Sequence, residues 1–112
     1  MKIAIPLAAG QLAMHFGHCE QFALVQVDEI KGEVTETVVL DPPPHEPGLL
    51  PRWLNEKGAN VILAGGMGQR AQRIFGQNNI KVVVGVESGT PERLVEEYLA
   101  GTLVGGKNLC DH

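Results

Sequence analysis

The segment His15-Phe16-Gly17-His18-Cys19 holds the densest group of metal-ligand residue types in the sequence. Imidazole and thiolate are ligands for zinc, copper and iron, and a thiolate also suits an iron–sulfur species. In an extended loop alternate side chains face opposite ways, so we expect His15 and Cys19 on one side and His18 on the other. We interpret His15, His18 and Cys19 as candidate metal ligands. The alternative is that Phe16 anchors the loop, Gly17 permits a turn and the histidines are merely solvated.

A second group of ligand types stands at the end, in Cys110-Asp111-His112. Chain ends fray unless something holds them, and a bound metal is one such restraint. Cys110 and His112 are therefore further candidate ligands, carried by a flexible tail over residues 105–112. The alternative is a disordered tail with an accidental thiol. If the tail reaches Cys19, the thiolates and imidazoles form a mixed site that suits iron–sulfur species and thiophilic metals rather than magnesium or calcium.

A third candidate is the glycine segment, residues 65–70. Glycines let a backbone approach a ligand closely, and free N–H groups at the start of a helix favour anions. We expect several main-chain N–H groups here to be open to an anion; the alternative is a tight strand-to-helix turn. The candidate cofactor-binding residues of the segment are Gly65, Gly66, Met67, Gly68 and Arg70.

Catalytic motifs are poorly supported. Ser88 is the only serine, and no G-x-S-x-G motif surrounds it. The glycine segment lacks the Gly-Lys-Ser/Thr of a Walker A loop and the spacing of a dinucleotide fingerprint. The aspartates are scattered, so no carboxylate pair for two divalent ions is predicted. Cys19 follows His18 directly, but neighbours in sequence need not have side chains in contact.

Composition limits the remaining classes. The 112 residues fit one domain, and 44% hydrophobic with 20% charged residues is typical of a globular protein. A net charge of −4 without a basic run predicts no nucleic-acid and no membrane partner. No apolar stretch approaches the roughly 20 residues of a membrane span. Residues 1–6 are too short for an export signal, so we expect a cytoplasmic protein with reduced thiols.

The elements that position these residues follow from hydrophobic periodicity. The first part has short β-type runs and predicts an antiparallel meander. After a proline-rich connector over residues 41–48 the period becomes helical, and strands then alternate with helices, which implies parallel pairing. The sequence thus predicts a single α/β domain of order βββαβαβα, with a mixed sheet of about five strands between helices. Predicted strands cover residues 2–6, 22–28, 33–40, 61–64 and 80–85, and predicted helices cover residues 49–57, 68–77 and 91–100.

Residues 15–22, 64–71 and 79–82 together resemble the dinitrogenase iron–molybdenum cofactor biosynthesis family, which includes NifX-type proteins and the C-terminal domain of NifB. The resemblance implies a ribonuclease-H-like fold without ribonuclease activity. It also implies binding of iron–sulfur or molybdenum-containing clusters or their precursors, in settings that often have no link to nitrogen fixation. Carried to this sequence, it implies the candidate residues already identified: His15, His18, Cys19, Cys110 and His112 as ligands, with the glycine segment as an anion cradle.

Our leading functional hypothesis is a non-enzymatic carrier or storage protein for a metal–sulfur cluster, with a cluster-donor or recipient protein as partner. A binding protein needs exchangeable ligands on loops above a rigid sheet, and the predicted fold supplies them. One alternative is a small thiol-dependent redox enzyme that uses Cys19. Another is an anion-sensing or protein-interaction module that uses the glycine segment.

Overall fold

The computed structural model describes residues 1–44 and 48–103 of the chain. Within them the predicted order of strands and helices is confirmed, with two additions before the second long strand: a two-residue strand and a 3₁₀ turn. The strands are β1 (Lys2–Ala8), β2 (Gln11–Leu12), β3 (Gln21–Asp28), β4 (Glu33–Leu40), β5 (Val61–Leu63) and β6 (Lys81–Val83); the helices are α1 (Leu49–Glu56), α2 (Gln69–Gln77) and α3 (Pro91–Ala100); the 3₁₀ turn is Phe16–His18.

One mixed sheet holds all the described strands, in the order β4-β3-β1-β5-β6, with β2 paired to β1. The pairs β1–β3 and β3–β4 are antiparallel, and β1–β5 and β5–β6 are parallel. The predicted meander and the predicted parallel pairing are therefore both confirmed. The number of strands differs from the prediction because β2 adds a sixth.

Strand β2 lies between the first two predicted strands, in a stretch for which the sequence predicted no strand. It forms a tight hairpin with β1, in which Leu7 pairs with Leu12 and Ala8 pairs with Gln11. Ala9 and Gly10 make the turn, with φ of 53° and 80°. Two consecutive positive φ values suit a two-residue hairpin turn, but alanine is rare in that conformation and gives no turn signal in the sequence.

Helices cover both faces of the sheet and bury two apolar clusters. Leu54 of α1 and Phe75 of α2 pack with Phe22 of β3 on one face. On the other face Leu94 and Val95 of α3 pack with strand residues that include Ile3, Ile5 and Val25. The helical stripes predicted from the 3.6-residue period thus meet the sheet as expected. No helix of residues 1–44 or 48–103 is both long enough and apolar enough to cross a membrane.

The parallel strands β1, β5 and β6 end at one edge of the sheet, which we call the upper edge. Helices α2 and α3 follow β5 and β6 and therefore begin there, and residues 9–20 connect the end of β1 to β3 at the same edge. After β1 the chain continues to β3, which is the neighbour of β1 on one side in the sheet, while β5 is its neighbour on the other side. Sheets that switch direction in this way bind ligands beyond the carboxyl ends of their strands.

At the upper edge the segment of residues 13–19, which we call the site loop, pairs with the glycine segment. The Gly66 N–H donates to the Met14 carbonyl at 2.8 Å, and the Phe16 N–H donates to the Gly66 carbonyl at 2.8 Å. A Cβ on Gly65 would lie 2.7 Å from the Met14 carbonyl oxygen and 3.2 Å from that of Ala13. Glycine at position 65 is therefore what allows the two segments to lie against each other.

We expect Gly65→Ala to lower the free energy of unfolding by about 1–3 kcal/mol, because its methyl group would meet a backbone oxygen that cannot rotate away. Gly76→Ala in α2 is the matched control, since a Cβ there meets nothing within 4 Å. The control should raise the free energy of unfolding by about 0.5–1 kcal/mol, because alanine favours a helix. Urea denaturation measures both. A stable Gly65→Ala variant would contradict the close packing of the two segments.

Candidate functional site

The structure brings His15 and His18 together. His15 immediately precedes the 3₁₀ turn and His18 is its last residue. Residues three apart overlie one another in a 3₁₀ helix, and the two imidazole rings meet edge to face with centroids 5.6 Å apart. His15 is half-buried and His18 is exposed. The prediction that His18 faces away from His15 is wrong, because it assumed an extended loop where the backbone turns.

Phe16 fixes the position of this histidine pair. Its ring packs against Phe75 of α2, with centroids 5.5 Å apart, and against Phe22 of β3, with centroids 6.1 Å apart. Phe22 in turn contacts Trp53 of α1, the only tryptophan in the chain. The part of the alternative in which Phe16 anchors the loop is thus confirmed, and the same anchor holds the two imidazoles in place.

Cys19 does not share a side with His15, contrary to the prediction. Its side chain is only 7% exposed and belongs to the apolar cluster that contains Phe22 and Phe75. Burial raises the pKa of the Cys19 thiol from 9.0 to about 11, an effect that a backbone hydrogen bond partly offsets. The side chain is therefore a neutral thiol at pH 7. A ligand role for Cys19 stays a prediction and requires the 3₁₀ turn to open.

The remaining predicted ligands, Cys110 and His112, lie outside the described residues, so a shared site with Cys19 also stays a prediction. Across residues 1–44 and 48–103 no group of three or more His, Cys, Asp or Glu side chains is arranged to hold a metal ion. Two imidazoles fill half of a four-coordinate shell. Any metal held by this pair needs further donors, either from other parts of the chain or from ligands that the metal brings.

The glycine segment is only partly open. Gly65, Gly66 and Met67 are buried, whereas Gly68 and Arg70 are exposed. The expectation of open N–H groups fails at Gly66, whose N–H is bonded to Met14 of the site loop. Gly68 is the N-cap of α2, whose first turn contains no acidic residue. The part of the segment that can meet a ligand is therefore its second half.

Ser88 and Gly89 hold the start of the site loop, a role that the sequence analysis did not predict. The Ser88 hydroxyl donates to the Leu12 carbonyl at 3.1 Å, and the Leu12 N–H donates to the Gly89 carbonyl at 3.0 Å. These two bonds engage the N–H and the carbonyl of Leu12, the last residue of β2, and so fix the chain just before the site loop begins. Ser88 and Leu12 are 76 positions apart, so no local pattern could indicate the contact.

Residues 1–101 match the family described as dinitrogenase iron-molybdenum cofactor. The chain belongs to this family. The uncharacterized protein MJ0580 of Methanocaldococcus jannaschii is 32% identical over 85 residues, which are 73% of this chain and 72% of that protein. The match to the family confirms the resemblance inferred from the site loop and the glycine segment.

Solved structures support the assignment at the level of the fold. The crystal structure of PH0822 superposes with a TM-score of 0.84 and 30% identity, and the match covers 93% of each chain. The apo form of the orange protein (ORP) from Desulfovibrio gigas superposes with a TM-score of 0.71 and 24% identity over 96% of this chain and 93% of that one. At this lower identity the second similarity shows the fold alone.

The burial of Cys19 predicts slow alkylation of this dinitrogenase iron–molybdenum cofactor family protein. In a Cys110→Ser background, iodoacetamide at pH 7.5 should modify the folded chain about a hundredfold more slowly than the unfolded chain, because only the thiolate reacts. The rate should rise until the pH reaches about 11. Mass spectrometry of timed samples measures it. Equal rates in the two states would contradict the burial and revive the thiol-enzyme hypothesis.

The same pKa shift has a consequence for stability. The folded state holds the Cys19 proton more tightly than the unfolded state, whose thiol titrates near 9.0. Raising the pH from about 9 to about 11 therefore favours the unfolded state, and the free energy of unfolding should fall across this window. A Cys19→Ala variant, which has no thiol to titrate, should show a smaller fall in urea denaturation than its parent.

Proposed function

We propose that this protein binds and carries an iron–sulfur or molybdenum-containing metal–sulfur cluster, or a precursor of one, without catalysing a reaction. The observation that carries the proposal is the pair of imidazoles of His15 and His18, 5.6 Å apart on an anchored turn at the upper edge of the sheet. Membership of a family named for the iron–molybdenum cofactor supports the chemical class of the cargo.

The donor set fits a cargo that already carries sulfide. Imidazole binds iron and copper well, and a metal–sulfur cluster needs only a few protein ligands because its sulfides fill most metal positions. Such clusters are commonly anionic, so the exposed Arg70 and the exposed start of α2 at Gly68 suit them electrostatically. Within this proposal Gly65, Gly66 and Met67 act indirectly, by holding the site loop in place.

Cys110 and His112 complete the proposed ligand set. Both are of residue types that bind iron and copper, and a thiolate near the imidazoles would give the mixed soft site predicted from the sequence. Cys19 would join them only if the 3₁₀ turn opens, because its thiol is now in the core. Two loop histidines at or near the surface, together with a thiolate from a distant position in the sequence, form a ligand set that suits a cargo which must later be released.

The thiol-enzyme alternative is not favoured, because a buried thiol with a raised pKa is a poor nucleophile at neutral pH. The proposal also includes a cytoplasmic location, where thiols stay reduced, and a protein that donates or receives the cluster. We further propose that the fold is ribonuclease-H-like. An antiparallel three-stranded unit extended by two parallel strands supports that assignment.

Loading experiments test the histidine pair. The full chain, purified without oxygen, is incubated with iron and sulfide or with tetrathiomolybdate, and bound metal is measured by elemental analysis and visible absorption. We expect His15→Ala/His18→Ala to bind about tenfold more weakly or worse, since both described ligands are lost. Its melting temperature should change little, because His18 is exposed and His15 is half-buried. Unchanged metal content would contradict the proposal.

His45→Ala is the matched control, because it removes one imidazole away from the site loop in sequence and should leave loading unchanged. Trp53 gives a second, local measurement. It is the only tryptophan, and it reaches Phe16 through a single intervening ring, that of Phe22. A cluster at the site loop whose near-ultraviolet absorption overlaps tryptophan emission should quench Trp53 fluorescence in the wild type and in the control, but not in the double histidine variant.

A second pair of variants distinguishes the roles of the two cysteines. Cys110→Ser should weaken loading, because it removes the proposed thiolate ligand. Adding Cys19→Ser to it should weaken loading no further, since the Cys19 thiol lies in the core. A further loss on the second substitution, at an unchanged melting temperature, would show that the 3₁₀ turn opens and that the two thiolates share the metal.

A further inference from the structure

Charge is unevenly distributed along the chain. Residues 57–86 contain two lysines and two arginines but no Asp or Glu, which gives this stretch a formal charge of +4. The whole chain has a charge of −4, so the rest of it carries −8. Both arginines of this stretch are on α2, whereas Lys57 follows the end of α1 and Lys81 begins β6, at the opposite end of the strands.

The two arginines of this stretch are on one helix. Arg70 and Arg73 are the second and fifth residues of α2, and a third arginine, Arg52, is the fourth residue of α1. All three side chains are exposed. We call Arg52, Arg70 and Arg73 the arginine surface.

Both helices of the arginine surface point the same way. Helix α2 begins at the upper edge. Helix α1 runs toward the opposite end of the strands, which we call the lower edge. Just after the end of α1 the Asn60 N–H donates to the Lys2 carbonyl at the start of β1, and β1 begins at the lower edge. Both helices cover the same face of the sheet. The arginine surface therefore lies on one face of the sheet, with Arg70 near the upper edge and Arg52 and Arg73 in the middle of their helices.

The three arginines lack an ion-pair partner among the described residues. Arg70, in the first turn of α2, also lies where the partial positive charge of a helix end disfavours a cation. The first turns of α1 and α2 contain no acidic residue. The ion pair found among the described residues, Arg93–Glu97, belongs to α3 on the opposite face. No described carboxylate therefore neutralises Arg52, Arg70 or Arg73 by a direct contact.

We propose that the arginine surface is a docking site for an acidic segment of another protein. Exposed guanidinium groups bind a small anion weakly in water, but several of them together steer and orient a macromolecule of opposite charge. The rest of the chain carries a charge of −8. It therefore repels a nucleic acid, which is negatively charged along its whole length, more than it repels a short acidic protein segment. The proposal adds a class of partner to the proposed function, and binding of that partner does not require a cluster.

The test uses the metal-free full chain and a fluorescein-labelled peptide rich in Asp and Glu, with binding followed by fluorescence polarisation. Arg52→Glu/Arg73→Glu should weaken binding about tenfold and flatten its dependence on salt, since two attractive charges become repulsive. Arg70 is retained because it belongs to the proposed cluster site. Both side chains are exposed, so the variant should stay folded, which its melting temperature checks.

Lys31→Glu/Lys81→Glu is the matched control. It changes the net charge by the same amount, but Lys31 is in the turn between β3 and β4 and Lys81 begins β6, both at the lower edge. Peptide affinity of this control should stay within about twofold of the wild type. Equal losses in the two double variants would overturn the proposal, because net charge alone would then explain binding. Failure of the wild type to bind the peptide more tightly than Arg52→Glu/Arg73→Glu would also overturn it.

Two further measurements distinguish a protein partner from a nucleic acid, and docking from cluster binding. A labelled single-stranded DNA of the same length and charge should bind more weakly than the peptide, and equal or tighter binding would overturn the assignment to a protein partner. Metal loading of Arg52→Glu/Arg73→Glu should stay within about twofold of the wild type, because neither residue is in the proposed ligand set. A variant that loads metal but loses the peptide would thus separate docking from cluster binding.

Discussion

The backbone pairing between the site loop and the glycine segment is the contact on which the upper edge depends. Two hydrogen bonds of 2.8 Å join Gly66 to Met14 and Phe16, and only a residue without a Cβ fits at position 65 beneath them. This pairing joins segments about fifty positions apart and sets the start of the 3₁₀ turn. His15, His18 and Cys19 all belong to this turn or to its two caps.

The same contact gives the glycine segment a different role from the one its sequence suggests. A glycine-rich turn before a helix is typical of an anion cradle, yet here the Gly66 N–H is satisfied by the chain itself. Its first half is structural and buried, and its second half is exposed. We propose that an anion is recognised instead by Gly68 and by the exposed arginines of α1 and α2. On these helices charge can be presented to solvent without disturbing the sheet.

The two kinds of soft ligand in the site loop differ in accessibility. The imidazoles lie at or near the surface on an aromatic anchor, while the Cys19 thiol is protonated in the core. The carrier role that we propose requires release of the cargo, and ligands that water and a partner can reach exchange faster than buried ones. In this arrangement the histidines are available at once. A thiolate from Cys19 would require both deprotonation and movement of the turn.

The sequence by itself determined the order of strands and helices, the pairing directions and the family, because periodicity, caps and short motifs are local properties of the chain. It also identified His15 and His18 as ligand types. Only the tertiary structure decided that these imidazoles meet, that Cys19 turns inward and that Ala9 and Gly10 form a hairpin turn. The reason is physical: whether a loop is extended or turned depends on the surface it packs against. Here that surface is made by Phe22, Phe75 and the glycine segment, which the chain supplies from distant positions.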